Sequence, residues 1–470
     1  MSLKKLCFAA VSLLLLNAAA IAQQLPAVVA DALTQAKIPL RSVGVVAQEI
    51  GGGKRLLVAV NPLSPFNPAS VMKLVTTDAA LELLGPSYVW KTQAYATGPV
   101  VDGVLNGDLV FKGSGDPKLV FENFWLFLRQ IRAQGIREIR GDVVLDRSAF
   151  AAIPYSPAQF DGDPLKPYNA VPDALLLNYK ALTLRFMPDQ ASGRVNVMID
   201  PPLAGMALAT LRQTAGACDD WQARMQLSIK PGAIDFGGTY PTACGDKTWY
   251  VHPYKLTGTD YFGAVFRQLW ADVGGVFNGK VSMGAAPQEA RLLAEWQSPA
   301  LPEVIRDINK FSNNVMARQV LLTLGAEMSG SPATPESGSN AVKAWLGSKG
   351  LETGDLIIEN GAGLSRIDRL TAGMLARMLA AAFQSATMPE FVSSLPLAGV
   401  DGTMRKRLRT QTVSGQAHIK TGTLNDVRSI AGFVQAASGK YYAVVFLINH
   451  ANAMRGQAAQ DAMLQWLYDQ

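Results

Sequence analysis

The chain has 470 residues, of which 49% are hydrophobic and 17% charged, and its formal net charge is +6 at pH 7. This mild basic excess gives no case for nucleic-acid binding, which would require basic residues clustered on one face. The length exceeds what one hydrophobic core usually supports, so we expect two or three domains.

Residues 1–22 are typical of a secretory signal peptide. They contain two lysines, an apolar run too short to span a bilayer, and an Ala20-Ile21-Ala22 ending. We expect cleavage after Ala22 and a periplasmic product with no stable membrane anchor, because Cys7 lies too early in the segment to be a lipid-attachment site. Once the two lysines are removed, 41 basic residues remain against 37 acidic ones, a net charge near +4.

The mature chain is predicted to begin with a helix, a hairpin and a second helix. Leu25 to Pro39 has helical periodicity, and two alternating apolar segments follow it. The segment FNPASVMKLVTTDAALELLGP, residues 66–86, then predicts a buried helix that Gly85-Pro86 would end. This segment places Ser70 three residues before Lys73.

The middle of the chain is rich in predicted strands. One β-rich stretch runs from about Thr92 to Phe150 and includes an amphipathic helix, and another runs from about Asp161 to Tyr250. The second stretch holds Cys218 and Cys244, which most often pair in an exported chain with two cysteines. Two unpaired thiols are the alternative, and a metal site is disfavoured because none of the three histidines is beside either cysteine.

The last third of the chain is predicted to be helical, then to form a strongly alternating strand pair and a final helix. Early strands, a helical middle and a late hairpin together suit one core. We therefore expect both ends of the mature chain to contribute to one domain, with the β-rich middle as an insertion.

A serine hydrolase needs a base for the serine proton and donors for the oxyanion. The sequence has no G-x-S-x-G motif, and its histidines lie in no recognisable triad context. A lysine base fits better, because residues i and i+3 share a helix face and Lys73 can reach the Ser70 hydroxyl. The positive end of the helix dipole would favour the neutral amine and the serine alkoxide. Taken alone, however, the pattern better fits a first-turn serine and a solvated lysine.

Two further tripeptides favour the catalytic interpretation of Ser70 and Lys73. Ser312-Asn313-Asn314 lies where one predicted helix ends and another begins, a place from which side chains can project into a cleft. Lys420-Thr421-Gly422 lies in an alternating strand, where the glycine lets another backbone or a ligand approach closely. In the order S-x-x-K, S-x-N and K-T-G, the three motifs are the signature set of penicillin-binding proteins and β-lactamases.

With these motifs the sequence resembles the penicillin-binding D-alanyl-D-alanine carboxypeptidase/endopeptidase family, low-molecular-mass class C type, over essentially the whole mature chain. The resemblance extends to GSGDP at 113–117, GDVVLD at 141–146, NGAGLSR at 360–366 and LPLAGVDGTMRKRL at 395–408. It implies an α+β fold, namely a three-layer α/β domain of the β-lactamase/transpeptidase type. In that fold an antiparallel sheet is flanked by helices, and here it would be interrupted by two inserted β-rich domains.

The spacing of the motifs agrees with such insertions. Ser70 and Ser312 are 242 residues apart, and no compact protein uses that length as a plain loop. The domains expected from the resemblance are the catalytic domain at 23–91 and 288–470, inserted domain II at 92–160 and 252–287, and inserted domain III at 161–251.

The resemblance also implies roles for the catalytic residues. Ser70 would be the acylated nucleophile and Lys73 the base that activates it. Ser312 would relay protons on the opposite wall, and Asn314 would hydrogen-bond the substrate amide.

Substrate-binding roles are implied in the same way. Lys420 and the hydroxyls of Thr421 and Thr423, which flank Gly422, would hold the carboxylate of the terminal D-Ala. The backbone amides of Ser70 and Thr423 would form the oxyanion hole.

Three further residues are implied at the cleft. Asp146 resembles an acidic residue that faces the amino group of diaminopimelate in relatives, and Arg366 would border the cleft. Solvated or salt-bridged surface positions are the alternative for both. Asn425 departs from the pattern, because relatives often carry Gln at the corresponding position.

The predicted function is that of a periplasmic serine DD-peptidase that removes terminal D-Ala from peptidoglycan stem peptides and cleaves D-Ala to meso-diaminopimelate crosslinks. Its partners would be pentapeptide stems and crosslinks, with β-lactams as covalent inhibitors and no cofactor or metal. A β-lactamase is one alternative, but no E-x-x-x-N segment is placed to supply a deacylating glutamate. A non-catalytic peptidoglycan-binding scaffold is another, against which the complete set of catalytic residue types argues.

Overall fold

The structure is a computed structural model that describes residues 24–52 and 55–470. The predicted signal peptide, residues 1–22, lies outside the described residues. None of the helices in the described ranges is both long enough and apolar enough to cross a bilayer.

The chain divides into two compact units. The first comprises the described residues of Met1–Pro86 together with Ile305–Ser312 and Val342–Gln470, and the second comprises Ser87–Val304 and Asn313–Ala341. Both ends of the chain thus belong to one unit. The boundaries of the three predicted domains stay a prediction.

The first unit is built around a five-stranded antiparallel sheet in which early strands pair with late ones. Apolar and β-branched residues at both ends of the chain favour this pairing. The α+β class predicted from the sequence is therefore confirmed. In order across the sheet, the strands are Leu56–Val60, Val43–Ile50, Tyr441–Asn449, Val427–Gln435 and Ala417–Leu424.

Helices cover both faces of this sheet. Ala27–Gln35 and Gln457–Tyr468 pack on one face through a continuous apolar cluster. Ala372–Ala382 packs on the other face, where Gly44 leaves room for the Phe66 ring, since a Cβ at Gly44 would lie 2.7 Å from it. The remaining helices that contribute to this unit are Met72–Leu84, Leu301–Phe311, Pro335–Ser348 and Met388–Ser394.

The helix predicted within residues 66–86 is confirmed. It begins as a 3₁₀ turn over Ala69–Val71 and continues as the α-helix Met72–Leu84. Every residue of its first ten positions, Met72 to Leu81, is buried, so it is a core helix. Gly85 ends it with a left-handed φ of 81°.

The second unit contains a five-stranded mixed sheet packed against two helices. Phe111 on a central strand contacts four phenylalanine rings from these helices, with ring centroids 5.5 to 5.9 Å apart. The helices are Phe121–Ala133 and Gly258–Asp272. The strands in order are Val281–Met283, Val143–Asp146, Leu109–Gly113, Lys91–Ala96 and Arg291–Gln297.

Three further sheets and further helices complete the second unit. One sheet has the order Val276–Phe277, Glu138–Ile139, Val104–Leu105 and Val100–Val101. A second has the order Tyr240–Pro241, Leu211–Thr214, Arg194–Asp200, Leu182–Asp189 and Lys247–Val251. A third has the order Ala207–Leu208, Ala233–Phe236 and Leu227–Lys230, and the helices are Trp221–Met225 and Asn314–Ser329.

The predicted pairing of Cys218 with Cys244 is confirmed. The two cysteines form a disulfide that closes a segment of 26 residues, with Cα atoms 4.8 Å apart. The bridge joins the loop before Trp221–Met225 to the turn before Lys247–Val251.

Replacing both cysteines with serine should destabilise the second unit. A closed segment of this length restricts the unfolded chain by about 3 to 4 kcal/mol in the chain-entropy treatment. Thermal unfolding and limited proteolysis within residues 182–251 would measure the loss. Reductant should lower the stability of the wild type towards that of the double variant and leave the double variant unchanged. Equal stability of the two oxidised proteins would contradict the prediction.

Candidate active site

Ser70 occupies a strained turn at the start of its helix. The preceding residue, Ala69, is fully buried and has a left-handed φ of 48°, which alanine rarely adopts. Its N–H donates to Asn67 Oδ1 at 2.9 Å, which holds the turn in place. Strained backbone of this kind is often kept next to reactive side chains. Ser70 itself is half-buried.

Lys73 is the direct partner of Ser70. Its side chain is fully buried, and Nζ donates to Ser70 Oγ at 3.0 Å. Nζ also donates to the carbonyl oxygen of Ala362. The i, i+3 spacing thus brings the amine to the hydroxyl, as the sequence predicts, and the second contact orients the amine from outside the helix.

The segment Asn360–Arg366 supplies that second contact through a tight loop. The Asn360 side chain accepts from Ala362 N at 3.0 Å and donates to Leu364 O at 2.9 Å. Gly363 has a left-handed φ of 73°, and a Cβ there would lie 1.8 Å from Ala69 O. Only glycine permits this approach.

Lys420, in the K-T-G strand, forms a hydrogen bond with Ser312, the serine of the S-x-N motif. Its side chain is fully buried, and Nζ donates to Ser312 Oγ at 2.9 Å and to Thr421 O at 2.7 Å. Burial lowers the pKa of Lys420 to about 7. Ser312 has a left-handed φ of 58° in the short link after helix Leu301–Phe311, so its backbone is strained as well.

The K-T-G glycine, Gly422, lies directly against the turn that contains Ser70. A Cβ on Gly422 would come within 2.9 Å of Ser70 N and 2.8 Å of Pro68 O. The sequence predicts that this glycine admits another backbone, and the structure confirms it. On either side of it, Thr421 donates its hydroxyl to Thr403 Oγ1 at 2.7 Å, and Thr423 is exposed.

Asp368 is a buried carboxylate that sequence reasoning missed. It is fully buried, Oδ1 accepts from Glu359 N at 2.7 Å, and Oδ2 accepts no hydrogen bond. Burial raises the pKa of Asp368 to about 7, and the charge of Lys73 acts in the opposite direction. It follows the NGAGLSR segment by two residues, where no motif points to it. Asp368 comes close to Lys73 only when the chain folds, because the two residues are far apart in the sequence.

Arg366 and Asn425 lie on the exposed rim of the first unit. Arg366 forms an ion pair of 3.4 Å with Asp426, and both side chains are about half exposed or more. Asn425 is exposed in the turn that links strands Ala417–Leu424 and Val427–Gln435. This turn and the 360–366 loop are therefore joined at the surface.

Two predicted site residues, Asn314 and Asp146, belong to the second unit. Asn314 is the first residue of helix Asn314–Ser329, which Asn313 caps by accepting from Met316 N at 3.1 Å. Asp146 ends strand Val143–Asp146 and is 3% exposed.

The Asp146 carboxylate is occupied by hydrogen bonds within its own unit. It accepts from Ser148 N at 3.0 Å and from Ala286 N at 2.9 Å. Burial raises the pKa of Asp146, but these hydrogen bonds outweigh burial and hold the pKa below its ordinary value. The residue is therefore an ionised carboxylate at neutral pH.

The first unit thus brings together Ser70, Lys73, Ser312 and Lys420 in two serine–lysine pairs, with Gly422 between them. Such an arrangement supplies a nucleophile with an adjacent base and a second hydroxyl on a buried amine. Within the part of the chain that the structure describes, no three His, Cys, Asp or Glu side chains are grouped to hold a metal ion.

Comparisons with known proteins agree with this geometry. The sequence model of the D-Ala-D-Ala carboxypeptidase 3 (S13) family matches residues 25–470. The chain is 28% identical over 426 residues to D-alanyl-D-alanine carboxypeptidase DacB of Haemophilus influenzae, covering 89% of this chain and 87% of the relative. It is also 28% identical over 439 residues to a D-alanyl-D-alanine carboxypeptidase of Actinomadura sp., covering 88% and 77%.

A solved structure gives the same result for the fold. The crystal structure of penicillin-binding protein 4 from Haemophilus influenzae superposes with a TM-score of 0.79 at 24% sequence identity, covering 93% of this chain and 99% of that chain. The predicted resemblance and the predicted fold are both confirmed.

Gly422→Ala should displace the turn that contains Ser70 and so slow acylation. The added methyl would press on Ser70 N and Pro68 O, and a misplacement of about 1 Å can slow a reaction by about a hundredfold. The measurement is the rate of labelling by a fluorescent penicillin, with circular dichroism to establish folding. Gly347→Ala is the matched control, because a Cβ there meets nothing within 4 Å. Equal labelling rates in the two variants would rule out the close approach.

Proposed function

The chain belongs to the D-Ala-D-Ala carboxypeptidase 3 (S13) family, and we propose that it acts on peptidoglycan stem peptides in the periplasm through an acyl-enzyme on Ser70. Membership of this family confirms the predicted class of serine-type carboxypeptidase. The observation that carries the proposal is the hydrogen bond of 3.0 Å from Lys73 Nζ to Ser70 Oγ, beside the strand of Lys420. This pair is the activated nucleophile that acyl transfer needs.

Acylation begins when neutral Lys73 takes the hydroxyl proton and Ser70 Oγ attacks the carbonyl carbon of the penultimate D-Ala. The C–O bond forms as the carbonyl oxygen becomes an oxyanion. The backbone N–H groups of Ser70 and Thr423 donate to that oxyanion, a contribution that is usually the largest in acyl transfer. The close approach of Gly422 to Ser70 N supports this assignment, because it places the two backbones side by side.

The oxyanion then collapses, the C–N bond breaks, and the terminal D-Ala leaves as an amine. That amine must gain a proton, and Ser312 is assigned to relay it from the lysine side. Ser312 gives its proton to the amine and takes the proton that Lys73 removed from Ser70, so Lys73 becomes neutral again. The hydrogen bond from Lys420 Nζ to Ser312 Oγ at 2.9 Å supports the relay, because it holds the Ser312 hydroxyl in position. Water next attacks the ester carbonyl, neutral Lys73 takes the water proton, and the C–O bond to Ser70 Oγ breaks as Lys73 returns that proton to the serine.

Substrate binding is assigned to the residues that the family pattern provides. Lys420 in its charged form, with the hydroxyls of Thr421 and Thr423, holds the terminal carboxylate, and Asn314 hydrogen-bonds the substrate amide. The further contacts to the stem peptide are assigned to Asp146, Arg366 and Asn425. The ionised state of Asp146 suits the ammonium group of diaminopimelate.

The same site is proposed to cleave D-Ala to meso-diaminopimelate crosslinks. The terminal D-Ala bond and the crosslink are both amides of a D-Ala carbonyl. In both, the nitrogen is attached to a D-configured carbon that carries a carboxylate. The acylation steps and the carboxylate contact to Lys420 are therefore the same for the two bonds, and only the remainder of the leaving group differs.

Labelled penicillin should form a covalent adduct on Ser70 that lasts for hours, because a DD-peptidase lacks the fast deacylation route of a β-lactamase. Ser70→Ala should take no label, whereas Ser64→Ala, an exposed serine outside the site, should be labelled like the wild type. Mass spectrometry of the peptide that contains Ser70 provides the measurement. A wild type that takes no label would refute the acyl-enzyme, and an adduct lost within milliseconds would favour the β-lactamase alternative.

D-Ala release should lose efficiency as the pH rises through about 7. The pKa of Lys420 is about 7, well below the ordinary lysine value, so the charged form that binds the carboxylate is present below this pH and lost above it. The pH profile of kcat/KM, which reports the free enzyme, should show this descending limb.

An acyl substrate whose leaving group has no carboxylate is the control for this profile. It should lack the descending limb, because it has no anion for Lys420 to bind. The same limb with both substrates would show that another group is responsible. A profile with no limb near pH 7 for the peptide would exclude Lys420 as the anchor in its charged form.

A further inference from the structure

A surface pocket of about 340 Å³ lies in the first unit beside the K-T-G strand. It is lined by Phe311, Gly402, Thr403, Arg405 and Lys406. Two lining side chains are cationic and none is acidic, so the pocket suits an anionic group. Phe311 adds an apolar wall, because its side chain is 67% exposed.

The pocket is connected to the proposed carboxylate site at two points. Thr403 accepts the hydroxyl hydrogen bond of Thr421 at 2.7 Å. Phe311 immediately precedes Ser312, whose hydroxyl accepts from Lys420. The pocket therefore adjoins the residues to which the carboxylate of the leaving group is assigned.

The loop that contributes Gly402 and Thr403 to the pocket is fixed by hydrogen bonds of Asp401. Asp401 accepts from Lys310 Nζ at 2.6 Å and from Leu397 N at 2.8 Å, and the Lys310 side chain is 7% exposed. Gly402 has a left-handed φ of 54°, and a Cβ there would lie 2.6 Å from Lys310 O. The Asp401 carboxylate next to the pocket is thus paired with Lys310, whereas the side chains of Arg405 and Lys406 are exposed.

We propose that this pocket binds the leaving peptide strand during crosslink cleavage, with Arg405 and Lys406 receiving its carboxylates and Phe311 contacting its methylene groups. The inference rests on the proposed endopeptidase activity and names the part of the substrate that this pocket recognises.

The chemistry of the two leaving groups explains why such a pocket is specific. In D-Ala release the leaving group is a single amino acid, which ends at the carboxylate held by Lys420. In crosslink cleavage the leaving group continues from the D-centre of diaminopimelate through three methylene groups to a second peptide. That peptide carries further carboxylates, on D-Glu and on its terminal D-Ala. Only the crosslink therefore reaches the cations of the pocket.

The test compares crosslink cleavage with D-Ala release in one protein. Purified crosslinked dimer and uncrosslinked pentapeptide are supplied separately, and kcat/KM is determined for each. The Arg405→Gln/Lys406→Gln double variant should lower the ratio of crosslink cleavage to D-Ala release by about tenfold, as expected for the loss of two exposed charge pairs. Arg409→Gln removes an exposed arginine of the same loop that does not line the pocket, and it should keep the wild-type ratio.

A second comparison changes the substrate instead of the protein. A dimer whose leaving strand carries carboxamides in place of the D-Glu and terminal D-Ala carboxylates should be cleaved about tenfold more slowly by the wild type. The double variant should cleave the two dimers equally, because it has no charges with which to distinguish them. This result does not depend on the absolute activity of the variant.

The outcomes separate the inference from the function on which it rests. A wild type that cleaves crosslinks, together with a double variant that keeps the wild-type ratio, would overturn the pocket assignment alone. A wild type that releases D-Ala but leaves crosslinks intact would overturn the proposed endopeptidase activity, and the pocket assignment with it.

Discussion

The close contact of three backbones around Ala69 and Ser70 is the constraint on which the site depends. The 360–366 loop reaches Ala69 from one side at Gly363, and the K-T-G strand reaches Ser70 from the other at Gly422. Neither approach leaves space for a side chain. The left-handed backbone of Ala69 is held by this packing and by Asn67, so Ser70 is oriented by backbone contacts before any substrate binds.

Two lysine side chains at these contacts are buried from solvent. Lys73 and Lys420 are fully buried, and each amine donates both to a serine hydroxyl and to a backbone carbonyl. Burial makes an isolated ammonium costly, and the pKa of Lys420 near 7 is the consequence. A group with such a pKa can exchange a proton at neutral pH. Asp368, with a pKa near 7 from the same cause, is a second group of this kind.

Much of the fold could be predicted from the sequence because its signals are local. Periodicity and the Gly85-Pro86 stop predict the Ser70 helix, and alternation predicts the strand of Lys420. The number of cysteines predicts the disulfide. The S-x-x-K spacing also brings Lys73 to Ser70 without any knowledge of tertiary structure, since both residues lie within one helical turn.

The rest of the site could not be predicted, because it arises from contacts between segments far apart in the chain. The carbonyl of Ala362 reaches Lys73 across 289 residues, and the hydrogen bond between Thr403 and Thr421 joins a 3₁₀ turn to a strand with which it shares no sequence pattern. Asp368 follows a recognisable segment but has no motif of its own. The strained φ of Ala69 gives no sequence signal, since alanine rarely adopts a left-handed φ.

The division of the chain shows why the catalytic unit tolerates so large an interruption. Strand Val43–Ile50 pairs with Tyr441–Asn449 along eight residue pairs, although nearly 400 residues separate them. The entropy of closing a loop grows only with the logarithm of its length, so doubling the loop costs about 0.6 kcal/mol. The apolar pairing of these two central strands, with helices on both faces, can offset a cost of that size many times over. The interval between Ser70 and Ser312 can therefore hold Ser87–Val304, the larger part of the second unit, while Ser70, Lys73 and the K-T-G strand remain within the first unit.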